Sequence, residues 1–133
     1  MAFIPVKSLD GASDPFEYLL LTDNEGVVLG QALVQTNGRL TKAGATATPE
    51  FIAQRTQAAE TTSTKPIPVT RVDEVREFEV QSTATIAQTD VGSKVTLHTD
   101  GLRVTATKTN GTFLISATDG ATTNSKVRGY FRR

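Results

Sequence analysis

Few side chains in this 133-residue sequence have the types and spacing that chemistry requires. Four carboxylates, Asp73, Glu74, Glu77 and Glu79, fall close together. Such a cluster can hold a cation, or divide into a general acid and a general base when the environments differ. Neither Asp-x-Asp spacing nor an EF-hand pattern accompanies them. Clustered like charges are ordinarily solvated, so the segment reads as an exposed acidic linker. The only histidine, His98, falls among threonines on the polar side of an expected strand. Proton transfer or metal binding would need convergent partners, so His98 reads as a surface residue. There is no cysteine, and so neither thiolate chemistry nor a disulfide. Gly26 and Gly30 stand four apart, but no Lys-Ser/Thr follows to make a phosphate loop. No nucleophile has an evident base. The expectation is a non-enzymatic protein with no catalytic residue, no cofactor and no metal.

The basic tail offers a different chemistry. Lys126, Arg128, Arg132 and Arg133 interleave with Tyr130 and Phe131. A small β-barrel with a basic strand and stacking rings would bind single-stranded nucleic acid. However, Phe131 falls on the expected buried face, which leaves Tyr130 as the one available ring. The chain carries 14 basic and 14 acidic residues, whereas backbone binding needs a basic field. Nucleic acid is therefore a rival reading and not the leading one. With no Trp and two Tyr, platforms for carbohydrate are also few.

The elements that must position these residues read as strands. Thr occurs 22 times, and β-branched residues favour strands. Residues 2–7 form an extended arm that ends at turn signals Asp10-Gly11 and Asp14-Pro15. Residues 16–21 and 27–35 read as the two strands of a hairpin, with Gly30 at a bulge or close approach. Asn37-Gly38 marks a tight turn. Residues 48–55 carry helix-start signals but too few apolar positions for a helical stripe, so a short strand is expected, with a single helical turn as the alternative. Pro66 and Pro68 confine residues 66–72 to an edge or to irregular structure. Residues 73–90 read as the passage between two subdomains.

Asp100-Gly101, Asn110-Gly111 and Asp119-Gly120 are spaced as type I′ hairpin turns, which need positive φ at both central positions. Residues 94–131 therefore read as a four-stranded meander. Val95, Leu97, Leu102, Val104, Ala106, Phe113, Ile115, Ala117, Val127 and Phe131 make its apolar face. Thr96, His98, Arg103, Thr105, Arg128 and Tyr130 are among those on its wet face. Leu114 breaks the alternation by facing out, which marks a contact residue.

The fold expected is all-β: a small antiparallel barrel or sandwich with a C-terminal meander and little or no helix. Residues 1–76 would form an N-terminal β subdomain with its extended arm, and residues 77–133 the meander subdomain. Charge divides unevenly: 7 − 11 = −4 over residues 1–80 and 7 − 3 = +4 over residues 81–133. The halves either neutralise each other or orient the protein on a charged partner. Nothing in the sequence resembles a signal peptide or a membrane-spanning helix, so a soluble protein is expected.

Two runs carry a family resemblance. Gly30-Gln31-Ala32-Leu33-Val34 is followed by Asn37-Gly38-Arg39-Leu40-Thr41-Lys42 and by Thr48-Pro49-Glu50-Phe51-Ile52-Ala53. Later, Val91-Gly92-Ser93-Lys94-Val95-Thr96-Leu97 precedes Asp100-Gly101-Leu102-Arg103-Val104-Thr105. Together they resemble the small decoration, or cement, proteins of tailed-bacteriophage capsids. The resemblance implies a compact β protein made in the host cytoplasm and carried on the virion surface. Its partner would be the major capsid protein, whose neighbouring subunits it bridges, and it would self-associate there as a dimer or trimer. The residues expected to meet a partner are Phe3, Ile4 and Val6 of the arm, with Leu114, Arg128, Tyr130 and Arg132. The arm could add a strand to a neighbour's sheet, or be the first strand of the protein's own sheet. Another virion role, in the tail, connector or fibre, is the nearest alternative.

Overall fold

The computed structural model describes residues 3–8 and 16–132. Among these residues ten strands form two antiparallel sheets. The first sheet contains β1 (Ile4–Ser8), β7 (Arg76–Gln81), β8 (Lys94–Val95), β9 (Phe113–Thr118) and β10 (Lys126–Phe131), in the order β1-β7-β10-β9-β8. The second contains β2 (Glu17–Leu19), β3 (Ala32–Thr36), β4 (Arg39–Lys42), β5 (Phe51–Ala53) and β6 (Ile67–Arg71), in the order β2-β6-β5-β3-β4. A 3-10 turn at Gln88–Asp90 is the only helical element among the described residues. The molecule is an all-β sandwich, and its sheets do not close into a barrel.

Alternation explains the layers. In β7, Phe78 and Val80 point into the space between the sheets, as do Phe113 and Ile115 of β9 and Val127 and Phe131 of β10. Ala32 and Ile52 meet them from the second sheet. The other face of the second sheet buries Leu33, Leu40, Phe51, Ala53, Ile67 and Val69 under Leu21 and Val27. That sheet is thus buried on both faces, so Phe51, Ile52 and Ala53 are all inside. Continuous apolar character of this kind has no period to read. It explains why residues 48–55 carried mixed signals while forming a strand.

Several expectations need correction. The 16–21 and 27–35 segments do not pair as a hairpin. β2 pairs with β6, and the second strand begins only at Ala32 and pairs with β4 and β5. Pro68 lies in an interior strand and not at an edge. It is tolerated there because it falls one residue beyond the last β5–β6 pair, Ala53 with Val69. Its carbonyl accepts the Gln54 N–H at 2.9 Å, and its missing donor faces the same way, past the end of β5. Residues 73–90 are not a linker either, since they contain β7, which pairs with both β1 and β10.

The meander is partly corrected. β8, β9 and β10 pair in sequence, but residues 102–106 form no strand, and Val104 makes only isolated bridges with Leu97 and Ser82. The type I′ turn occurs at Asn37-Gly38, where φ is 52° and 76°. The three later pairs each have positive φ at one position only: Gly101, Asn110 and Gly120. At Asn110-Gly111 the glycine serves space and not φ, because a Cβ on Gly111 would collide with the Lys94 carbonyl.

The N-terminal arm belongs to its own molecule. It forms the edge of the first sheet, where it pairs with β7 from the back half of the chain. Phe3 is 1% exposed and sits against Phe78, Phe113 and Phe131 at centroid distances of 6.4, 5.7 and 5.2 Å. Tilted and edge-on rings at such distances add to the area they bury. Replacing Phe3 with Ala should lower unfolding stability by about 3–5 kcal/mol, read as a reduced urea midpoint at unchanged slope. A loss within 1 kcal/mol would mean that β1 is not seated as described.

Candidate interaction surface

The chemistry-bearing groups do not converge. Glu77 and Glu79 share the outer face of β7, two residues apart. Glu77 is 6% exposed and accepts a hydrogen bond from Ser116 Oγ at 3.0 Å. Glu79 lies 3.7 Å from the Arg128 guanidinium, an ion pair that joins the acidic front half to the basic back half. Asp73 pairs with Arg76 at 3.6 Å. The expectation of a solvated acidic linker fails at Glu77, because a regular strand carries it under its neighbours. No group of three or more His, Asp or Glu side chains could hold a metal ion among the described residues.

His98 is the half-buried member of a small polar knot. Its Nδ1 lies 3.2 Å from the Asp100 carboxylate and 3.3 Å from the Asp100 N–H. A neutral ring accepts from the N–H, and a protonated one donates to the carboxylate. Arg103 donates to Asp100 Oδ2 at 3.0 and 3.2 Å, and the Leu102 N–H donates to Oδ1 at 2.8 Å. Burial alone would push the Asp100 carboxyl up, but the Leu102, Arg103 and His98 hydrogen bonds outweigh it and hold it below the usual range. The turn that carries the knot is bonded to the start of β3. Gln31 Nε2 donates to the Asp100 carbonyl at 2.9 Å, and the Ala32 N–H donates to the Gly101 carbonyl at 2.8 Å.

The residues expected at a partner surface separate into three groups. Phe3 is core. Leu114, Arg128 and Tyr130 share the outer face of the first sheet with Ile4, through the cross-strand pairs Leu114–Tyr130–Glu77 and Arg128–Glu79–Ile4. On that face Arg128 is exposed and Leu114 half-buried. Tyr130 is only 9% exposed, so it is not the open stacking ring that a single-strand platform needs. Burial, then the Glu77 carboxylate, raises its phenol pKa. Arg132 lies over the Tyr130 ring at 5.3 Å. Val6, at the β1 bulge, is exposed.

A different grouping emerges from exposure. Among the described residues the large exposed apolar side chains are Ile4, Val6, Phe16, Tyr18, Val28 and Leu29. All lie in the first 29 positions. Phe3, Ile4 and Pro5 line one wall of a largely apolar groove of about 420 Å³, closed by Leu29, Gly30 and Gln54. The groove exists because the Phe3 N–H donates to the Gly30 carbonyl and the Gly30 N–H to the Ala53 carbonyl, at 2.9 and 2.7 Å. Gly30 can turn there with φ of 83°. Gln54 in turn donates to Pro68, which stands opposite Tyr18, so β2 adjoins the groove. The flank at β1 and β2 is thus the groove together with the row Gln54–Pro68–Tyr18 that leads from it to β2. The sequence reading missed Phe16, Tyr18, Val28 and Leu29. The available signal was Val27-Val28-Leu29, three apolar residues in a row, of which only Val27 is buried.

The outer edge of β1 is poorly suited to strand addition. Backbone groups alternate sides along a strand, so Pro5 faces the same way as the Phe3 N–H, away from β7. Phe3 has spent its N–H on Gly30, and Pro5 has none to offer. The bulge between Pro5 and Lys7 breaks the register next to it. Proline and a bulge are the usual guards of an edge strand. Strand addition at this edge is therefore disfavoured.

No family model matches the chain, and no curated protein sequence does.

Asp100 yields a pH test. Its carboxylate is held below its unfolded value, so the stability it contributes is present above about pH 4 and is lost as pH falls through the folded value. Asp100→Asn should therefore be less stable than the parent at pH 7, and the gap should close as pH falls below about 4. Urea titrations across that range check it. A gap independent of pH would remove the charge from the explanation.

Proposed function

We propose that this protein is a non-enzymatic structural component of a phage virion, a capsid decoration protein that docks through the flank bearing β1 and β2. The observation that carries the reading is the apolar groove of Ile4, Pro5 and Leu29, with the other exposed apolar residues all from the same first 29 positions. Exposed apolar side chains that line a groove mark a surface that awaits a partner. The family resemblance supplies the partner: neighbouring subunits of the major capsid protein. The doubly buried second sheet and the knot at Asp100 favour a rigid body, which suits a clamp between subunits. Modest single contacts suffice, because many identical sites on a shell supply avidity. A self-associated dimer or trimer on the shell would add to it.

Purified protein mixed with expanded capsids of its phage should bind at saturating, symmetric stoichiometry and raise the temperature at which the particles break. Leu29→Asp or Ile4→Asp should weaken binding by about thirtyfold, the cost of losing one hot spot of about 2 kcal/mol. Both positions are exposed, so the variants should keep the parent's urea midpoint. Absence of binding to any form of the shell would overturn the proposal. Salt-sensitive retention of single-stranded DNA that is lost in Arg128→Glu would replace it with the nucleic-acid reading.

A further inference from the structure

We propose that Asn37 is a site of spontaneous covalent modification: its side-chain amide is lost through a cyclic imide formed with the Gly38 nitrogen, while the other asparagines are protected. The inference stands on the β3–β4 loop and does not depend on the capsid reading.

The sequence has four asparagines, Asn24, Asn37, Asn110 and Asn124. All four have positive φ, between 50° and 64°, so this angle does not separate them. The N–H of the following residue does, and that is the group whose nitrogen must attack. The Glu25 N–H donates to the Thr22 carbonyl at 3.2 Å and the Gly111 N–H to the Lys108 carbonyl at 3.2 Å. The Ser125 N–H donates to the Ala84 carbonyl at 3.3 Å. At Asn37 the two-residue loop closes on the pair Thr36 with Arg39. The bond of such a turn is donated by its fourth residue, here Arg39. No backbone acceptor meets the Gly38 N–H among the described residues. Asn37 and Gly38 are both exposed.

Space separates the two Asn-Gly pairs as well. For attack, the peptide joining the two residues must swing until its nitrogen faces the asparagine Cγ. A Cβ on Gly38 would meet nothing within 4 Å, so that peptide has room to swing. Gly111 is packed against the Lys94–Val95 backbone of β8, and a swing there would also break its bond to Lys108. Asn37 helps to line an open cleft of about 350 Å³ with Asp23, Glu25 and Arg39, so water reaches the imide.

The reaction balances with water as the only co-reactant. The Gly38 nitrogen gives up its proton and bonds to Asn37 Cγ. The Cγ–Nδ2 bond breaks, and ammonia leaves with that proton. Water then adds to one of the two imide carbonyls. Opening at Cγ leaves aspartate, and opening at the backbone carbonyl leaves isoaspartate, whose main chain runs through Cβ and Cγ. Isoaspartate lengthens the loop by one main-chain atom, so the type I′ match to the strand twist is lost. Either product places a third carboxylate in the cleft with Asp23 and Glu25.

The chain carries its own control, because Thr36-Asn37-Gly38 and Thr109-Asn110-Gly111 are the same triplet. Full-length protein should be held at mildly alkaline pH, where the amide proton is removed more readily, once folded and once in denaturant. Peptide mapping of the folded sample should find aspartate and isoaspartate at position 37, with release of ammonia. Loss at Asn110 should be slower by about fivefold or more, the factor for one further hydrogen bond to break. In denaturant the two rates should converge. Equal rates in the folded protein, faster loss at Asn110, or an Asn37 amide that survives folded while the unfolded chain loses it would each overturn the proposal. A difference that persists in denaturant would also overturn it, since the selectivity would not come from the fold.

Discussion

The burial of Phe3 is the constraint on which the working surface depends. One ring among three others fixes the start of the chain to the core of the first sheet. With Phe3 seated, its N–H reaches Gly30 and sets Ile4 and Leu29 on one groove. The same seating makes β1 an edge strand and leaves Ile4 and Val6 outside. Fully burying a phenylalanine removes enough apolar area from water to contribute about 1.5–3 kcal/mol. No exposed ion pair here competes with that, because solvent-exposed pairs contribute about 0–1 kcal/mol each. The arm is held by its ring, and its polar contacts set direction.

The second sheet plays the complementary part. Buried on both faces, it makes one core with the first sheet and another with the chain around Leu21 and Val27. It also curls. The Leu40 N–H donates to the Leu20 carbonyl and the Thr22 N–H to the Leu40 carbonyl, each at 2.9 Å, so the chain just after β2 covers the far edge at β4. Arg71 closes the near side, donating to Glu17 at 2.8 and 2.9 Å while lying 4.7 Å over the Phe51 ring. One edge is thus guarded by chain, and the flank at β1 and β2 is left to side chains.

How far the sequence predicted this depended on local period. β9 and β10 were legible because Phe113 and Ile115, and Val127 and Phe131, alternate with polar neighbours and face one core. The Asn37-Gly38 turn was legible because both residues tolerate positive φ. β5 was ambiguous because a strand buried on both faces has no period. Strand β7 was mistaken for a linker because Glu77 and Glu79 look solvated in one dimension, whereas Ser116 and Arg128 meet them from neighbouring strands. Phe3 read as a contact residue for want of a local partner, since its partners lie 75, 110 and 128 positions away. The surface was half-visible: Ile4 and Val6 were marked, but Leu29 depends on a turn at Gly30 that only the folded chain displays.

The docking proposed above turns the flank at β1 and β2 toward the capsid. Electron cryomicroscopy of expanded capsids incubated with the protein tests it most directly. Docking through that flank gives density at symmetric positions on the shell, with Ile4, Tyr18 and Leu29 buried against capsid subunits. Density in which that flank faces solvent, or shells that remain bare, would contradict it.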